Sequence, residues 1–210
     1  DGAINAIKAV VTDTSFTSSA NFGYGYWNSG IGTDPNRHAS GDGGQWCYEN
    51  SCDYFHGWDS VTERSVLCNV NSCLKIGISN QGYSKIPEAL ATTSLAWGTD
   101  ALAFAELASD YYTDPAVDVI DPQAPCQLNY VIVISDGEWK HHNEAAIKIQ
   151  DLRTSREVKT LVVAYGDGIK PTTIQSKFDK MAIAGSCDDA TGAHKDCEKT
   201  IIALTPEELK

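Results

Sequence analysis

The sequence predicts an α/β fold, a mostly parallel central sheet flanked by helices, and three observations predict it. Tyr130 to Ser135 (YVIVIS) and Thr160 to Tyr165 (TLVVAY) are unbroken apolar runs rich in β-branched residues, the mark of strands covered on both faces. Helical patterns separate and follow them, so strands alternate with helices. The length of 210 residues suits one full-sized core, and residues 1–210 are read as a single domain.

Asp1 to Asp13 opens as a helix, because Ala3, Ile4, Ile7, Val10 and Val11 recur at three- and four-residue steps. Asn21 to Trp27 (NFGYGYW) alternates aromatic and small residues, as a strand with one bulky face does. From residue 28 to about 73 the pattern dissolves into Gly, Asn, Asp, Ser, Trp and Cys. So long a run without periodicity is uncommon unless stapled or functional, so a disulfide-pinned surface insertion is expected there. Leu74 to Ser79 (LKIGIS) is a short strand closing it. Helices are expected from Ile86 to about Ala91 and from Thr99 to Tyr111, then a loop from Asp114 to Pro125. Asn143 to about Glu157 is helical, with Ala146, Ile149 and Leu152 on one stripe. Pro171 to Ala184 is a helix with its proline near the start, where a missing N–H costs least. Ile201 to Leu204 forms a last strand, and Thr205-Pro206-Glu207-Glu208 has the capping pattern of a helix start.

Charge and cysteine content narrow the function. The chain holds 28 acidic and 16 basic side chains, a formal net charge of -12. That argues against nucleic acid, which needs a basic face, and against an anionic membrane surface as partner. No run approaches the roughly 20 apolar residues of a membrane span. Of seven cysteines, six form three close pairs: Cys47 and Cys52, Cys68 and Cys73, Cys187 and Cys197. None of the three has the two-residue spacing of a zinc knuckle or redox motif, so local disulfides in an oxidising, extracellular compartment are expected. Cys126 is left over, as a buried thiol beside a strand or as a link to a partner outside the chain. Export without a visible signal peptide suggests a mature or excised piece of a longer protein.

No catalytic motif emerges, and the chain is read as non-enzymatic. There is no GxSxG elbow, P-loop or HExxH. His141 and His142 are adjacent, which points them apart on a helix, as solvent-exposed polar residues. Gly41-Asp42-Gly43-Gly44 neither follows a strand nor opens a helix, so it is no phosphate cradle. Asp114, Asp118 and Asp121 lack the alternate spacing and final Glu of a calcium loop and read as solvated. Trp46, Tyr48, Tyr54, Phe55 and Trp58, with Trp27 beside them, form either a small satellite core or an exposed contact surface.

The pointed sequence is Val131 to Glu138 (VIVISDGE), where Asp136 stands at the mouth of a buried strand and Gly137 permits a tight turn. In open α/β sheets, ligands bind beyond the carboxyl ends of the strands. Trp97-Gly98-Thr99 places a hydroxyl at a helix start, TLVVAYGDG follows as the next strand unit, and Asn21-Phe22-Gly23 begins a strand after the opening helix. Together these resemble the von Willebrand factor A domain, a Rossmann-like fold, over nearly the whole chain outside the insertion. Within that family, NFGYGYWNSG, the Cys- and Trp-rich insertion, CLKIGIS and WGTDALAFAE are similar to the PilC/PilY-type adhesins at the tip of type IV pili. The resemblance implies a divalent cation, Mg²⁺ or Ca²⁺, held by a DxSxS loop, a Thr and an Asp. Thr99 matches the Thr and Asp136 the Asp. It also implies cell adhesion as part of a fimbrium, with pilus subunits or a host or surface ligand as partners. The alternative is a structural capping or assembly subunit of a surface fibre that binds no host ligand.

One departure matters. The DxSxS loop should end a strand that precedes the opening helix, and the chain begins inside that helix, so an N-terminally incomplete domain is expected. Val10 to Thr17 (VVTDTSFT) contains a formal DxSxT, but only three residues separate Thr17 from the next strand. No helix fits between, so Asp13 and Ser15 are read as turn formers. Thr99 and Asp136 alone form a partial site, at which a hard cation would be weakly held or absent.

Overall fold

The computed structural model describes residues 2–26, 38–39, 46–48, 51–53, 58–59, 64–65, 70, 73–93, 101–117, 119–124, 126–139, 141–187, 197–205 and 208, with backbone alone in the five short segments between 38 and 65. Helix α1 (Gly2–Thr12) and the one-turn α2 (Thr14–Thr17) precede strand β1 (Phe22–Gly25). The insertion holds β2 (His38–Ala39), β3 (Trp46–Tyr48), β4 (Ser51–Asp53), β5 (Trp58–Asp59) and β6 (Arg64–Ser65). Then come β7 (Leu74–Ser79), α3 (Gly82–Ala91), α4 (Ala101–Thr113), β8 (Asn129–Ser135), α5 (His142–Arg156), β9 (Val158–Tyr165), α6 (Thr172–Ser186) and β10 (Ile201–Ala203).

The two apolar runs pair as expected. β8 and β9 are parallel and in register from Asn129 beside Val158 to Ser135 beside Ala164. β10 adds in parallel on the other side of β9, giving the order β10-β9-β8. The main core lies on one face of this sheet. Val133, Val162 and Ala164 meet Ala145, Ala146 and Ile149 of α5 and Phe178, Met181 and Ala182 of α6. Gly185 lets α6 come close, since a Cβ there would stand 2.7 Å from the Thr160 carbonyl oxygen.

Two expectations need correction. The sheet is not continuous: among the described residues β1 and β7 form their own antiparallel pair, with register shifts around Tyr24. Nor is β8 covered on both faces, because Ile132 is 61% and Tyr130 42% exposed. α1 and α3 pack instead on the β1–β7 pair, where Val11, Ile86 and Leu90 meet Phe22, Tyr24 and Ile76. β-branching marked both strands correctly; it does not report how many faces a neighbour covers.

Helix α4 joins the two sheets. The Tyr111 hydroxyl accepts the Ile78 N–H of β7 at 2.6 Å, and the Tyr112 hydroxyl donates to the Tyr130 carbonyl of β8 at 3.1 Å. Tyr111, Tyr112, Leu152 and Val158 form one buried cluster, with Leu74, Ile78 and Val131 against it. Burial pushes the Tyr112 hydroxyl up to about 12 from its ordinary 10.0, so it remains a donor even at pH 10.

Helix boundaries shifted for local reasons. α3 begins at Gly82, one turn before the expected start, and carries Pro87 inside. A side chain at Gly82 would stand 1.9 Å from the Phe22 carbonyl oxygen, so only glycine allows α3 to approach β1. Pro171 is the N-cap of α6, just outside the helix.

Candidate metal edge and disulfides

Asp136 follows β8 directly and is solvent-exposed, at the carboxyl end of the parallel sheet. Its loop is anchored from below by Trp139, wholly buried between Phe104 of α4 and Phe178 of α6, with both ring centroids 5.5 Å away. Sequence reading passed over Trp139, although an indole three residues beyond Asp136, outside the insertion, was the available signal. The Lys177 ammonium of α6 holds the Glu138 carboxylate and lies 3.4 Å from the Trp139 carbonyl oxygen. The next turn crowds the same loop: a Cβ on Gly168 would sit 2.8 Å from the Asp136 carbonyl oxygen. Gly166 takes φ +85°, a left-handed backbone that glycine adopts freely, and its N–H donates to the Ala203 carbonyl at 2.9 Å. A rigid edge therefore presents the Asp136 carboxylate to solvent.

The second predicted ligand, Thr99, lies outside the described residues, two positions before α4 begins at Ala101. Among the described residues no three or more His, Cys, Asp or Glu side chains group as a metal site. One exposed carboxylate does not fit the near-octahedral oxygen set that a hard cation requires. Asp13 is otherwise engaged. Its carboxylate caps α2, accepting the Ser15 N–H at 2.8 Å and the Ser15 hydroxyl at 2.7 Å. Those bonds hold its carboxyl below the usual carboxylate range.

The cysteine pairs fare as follows. Cys187 and Cys197 are bridged. Cys73 is buried and disulfide-bonded, while its expected partner Cys68 lies outside the described residues. Cys47 and Cys52 stand directly opposite each other in the antiparallel β3–β4 pair. Opposed residues in such a pair have Cα atoms about 4.5–5.5 Å apart, within disulfide reach. Cys126 is not a buried thiol: it is free and exposed, at the surface before β8.

Of the predicted contact surface, Trp46, Tyr48 and Trp58 occupy positions in β3 and β5, and Tyr54 and Phe55 lie outside the described residues. The insertion is not wholly without regular structure, since β2-β3-β4 and β5-β6 are small antiparallel sheets. Strands of two or three residues are too short to display a period. The predicted solvated loop holds at two positions: Asp114 accepts the Ala116 N–H and Asp121 the Gln123 N–H, each at 2.8 Å. His141 caps α5 with φ +48° and His142 is its first residue; both are half-buried rather than fully exposed. A hollow of about 390 Å³, lined by Tyr26, Lys75, Ala89, Thr92 and Thr93, lies between β1, β7 and α3 and contains no predicted site residue. No described helix is long and apolar enough to cross a membrane. No protein-family model matches the chain, and no curated protein is significantly similar to it in sequence.

Proposed function

We propose that the chain is a non-enzymatic binding domain displayed outside a bacterial cell, similar to a von Willebrand factor A domain and serving as the adhesin of a type IV pilus tip. The observation that carries this reading is the Asp136 loop, a carboxylate presented at the carboxyl edge of a parallel sheet by a buried tryptophan anchor. Two disulfide-bonded sites, Cys73 and the Cys187–Cys197 bridge, support the extracellular setting. Thr99 and Asp136 are proposed as a partial cation site at which Mg²⁺ or Ca²⁺ is weakly held or absent, and Trp46, Tyr48, Tyr54, Phe55 and Trp58 as the contact surface. The partners are pilus subunits and a host or surface ligand.

Immunogold labelling of the producing bacterium with antibody against this chain tests the role. Label at fibre ends, with Fab fragments blocking attachment, is the expected outcome. Label at fibre ends without blocking favours a structural capping subunit, and label confined to the cell interior overturns both. For the metal, calorimetric titration of the chain with Mg²⁺ or Mn²⁺ is expected to show no tight binding, and chelator should leave the melting temperature in place, because a ligand stabilises in proportion to its occupancy. Submicromolar binding lost in Asp136→Ala would show that another segment completes the site.

A further inference from the structure

The hollow between β1, β7 and α3 has walls of mixed chemistry. Its volume of about 390 Å³ is that of a small-molecule site, and Tyr26, Lys75, Ala89, Thr92 and Thr93 line it. Ala89 lies in the last turn of α3, Thr92 is the C-cap of that helix, and Thr93 follows. Both threonine hydroxyls donate to the Ala89 carbonyl, Thr92 at 2.9 Å and Thr93 at 3.0 Å. With its proton so used, Thr93 accepts from the half-buried Tyr24 hydroxyl at 3.0 Å. Thr92 has likewise spent its proton, so what it offers a ligand is lone pairs. From β7, the Lys75 ammonium stands 5.9 Å from the centre of the Tyr26 ring and brings three N–H donors. The Tyr26 ring and the Ala89 methyl add apolar wall.

Such walls select by charge. The C-terminal end of a helix carries roughly half a negative charge, which disfavours an anion, and α3 has no basic residue in its last turn to offset it. The Lys75 ammonium in turn disfavours a cation. A neutral ligand remains, and it must donate to Thr92 while accepting from Lys75. A hydroxyl group does both, and a sugar ring carries several hydroxyls beside C–H faces that suit Tyr26 and Ala89. We propose that this hollow binds one neutral saccharide unit, with Thr92 and Lys75 bonding its hydroxyls and Tyr26 and Ala89 meeting its apolar face. The site goes beyond the role proposed above. It contains neither Asp136 nor any residue of the proposed contact surface, and it stands even if the pilus reading falls.

Amide correlation NMR of the isotope-labelled chain tests this, by titration with the methyl glycosides of glucose, galactose, mannose and N-acetylglucosamine. At least one of them should move the amide signals of Tyr26, Lys75, Ala89, Thr92 and Thr93 in a saturable way. The dissociation constant should be about 1 mM, the level expected of so small a ligand. Methyl glucuronide and methyl glucosaminide, the anionic and cationic counterparts, should bind more weakly than the best neutral probe. Thr92→Val and Lys75→Met each remove one polar partner and should each weaken that probe about fivefold, the worth of one hydrogen bond. Thr92→Ser keeps the hydroxyl and should bind as the parent does. Thr92 is exposed, so Thr92→Val should still melt cooperatively. No saturable shift with any neutral probe, shifts confined to other residues, or equal binding by the parent and both variants overturns the proposal. So does tighter binding of either charged probe, which would make the hollow an ion site instead.

Discussion

His142 shows how a single side chain ties the Asp136 loop to the helix layer. It opens α5 near the lysines of α6, where Lys180 donates to the Asn143 side-chain oxygen at 2.6 Å and Lys177 holds Glu138. Burial first, then the Lys177 and Lys180 ammonium groups, hold its imidazole below the ordinary value of 6.5, against a weaker opposing pull from Glu144 and Glu138. The unfolded chain therefore takes up the proton more readily than the folded one. This contribution to stability is fully present above pH 6.5 and is lost as pH falls through that value toward the folded pKa. His142→Gln should flatten this part of the profile of melting temperature against pH, and an unchanged profile would place the titration elsewhere. Tyr112 carries the opposite sign. Its folded pKa of about 12 lies above the ordinary 10.0, so its contribution is lost as pH rises past 10.0, when the unfolded phenol ionises first. Neither residue was legible in the sequence as a titrating site. His142 depends on α6 arriving from more than thirty positions away, and Tyr112 on burial that a tyrosine-rich helix end does not announce.

At the scale of elements, the long periodic segments were legible and the short ones were not. Val158–Tyr165 and Asn129–Ser135 pair as their apolar runs require, and α5 buries Ala146, Ile149 and Leu152 as its stripe predicts. The strands of the insertion escaped because two or three residues carry no period. The early start of α3 escaped because Gly82 and Pro87 are poor helix formers, retained for a close approach that only the folded β1 reveals. Val133 tests the central pairing. It is buried in the main core beside Val162, its register partner on β9. Val133→Asp would leave a carboxylate there without a partner, at a cost of several kcal/mol against a typical total stability of about 5–15 kcal/mol. Loss of the cooperative thermal transition and of soluble expression is the expected result. Ile132→Asp, one residue along and itself exposed, should fold and melt nearly as the parent does, and equal damage from both would mean that β8 is covered on both sides after all.

For the whole molecule, the separation into two sheets has an energetic consequence. The β8–β9 ladder runs unbroken over seven residue pairs and lies on the larger core, where Trp139, Phe178 and Met181 are fully buried. The β1–β7 ladder has three register pairs with two irregularities, and its core with α1 and α3 has Val11, Ile86 and Leu90 as its buried members. Among the described residues no strand ladder connects the sheets. Their coupling runs through α4, by the Tyr111 and Tyr112 hydroxyls and the cluster around them. Cooperative units follow contiguous buried packing, so the smaller unit should open at a lower free energy than the larger. Native-state hydrogen exchange should find the amides of Val162 and Ala164 exchanging only through global unfolding, while those of α3 and β7 exchange through a partial opening that depends less on denaturant. Tyr111→Phe removes the acceptor of the Ile78 N–H and leaves the main core intact, at a cost of about 1 kcal/mol. It should speed exchange across β7 and α3 and leave Val162 nearly unchanged. Uniform acceleration in both units, or a single opening energy for all amides in the parent, would show that α4 welds the two sheets into one cooperative body.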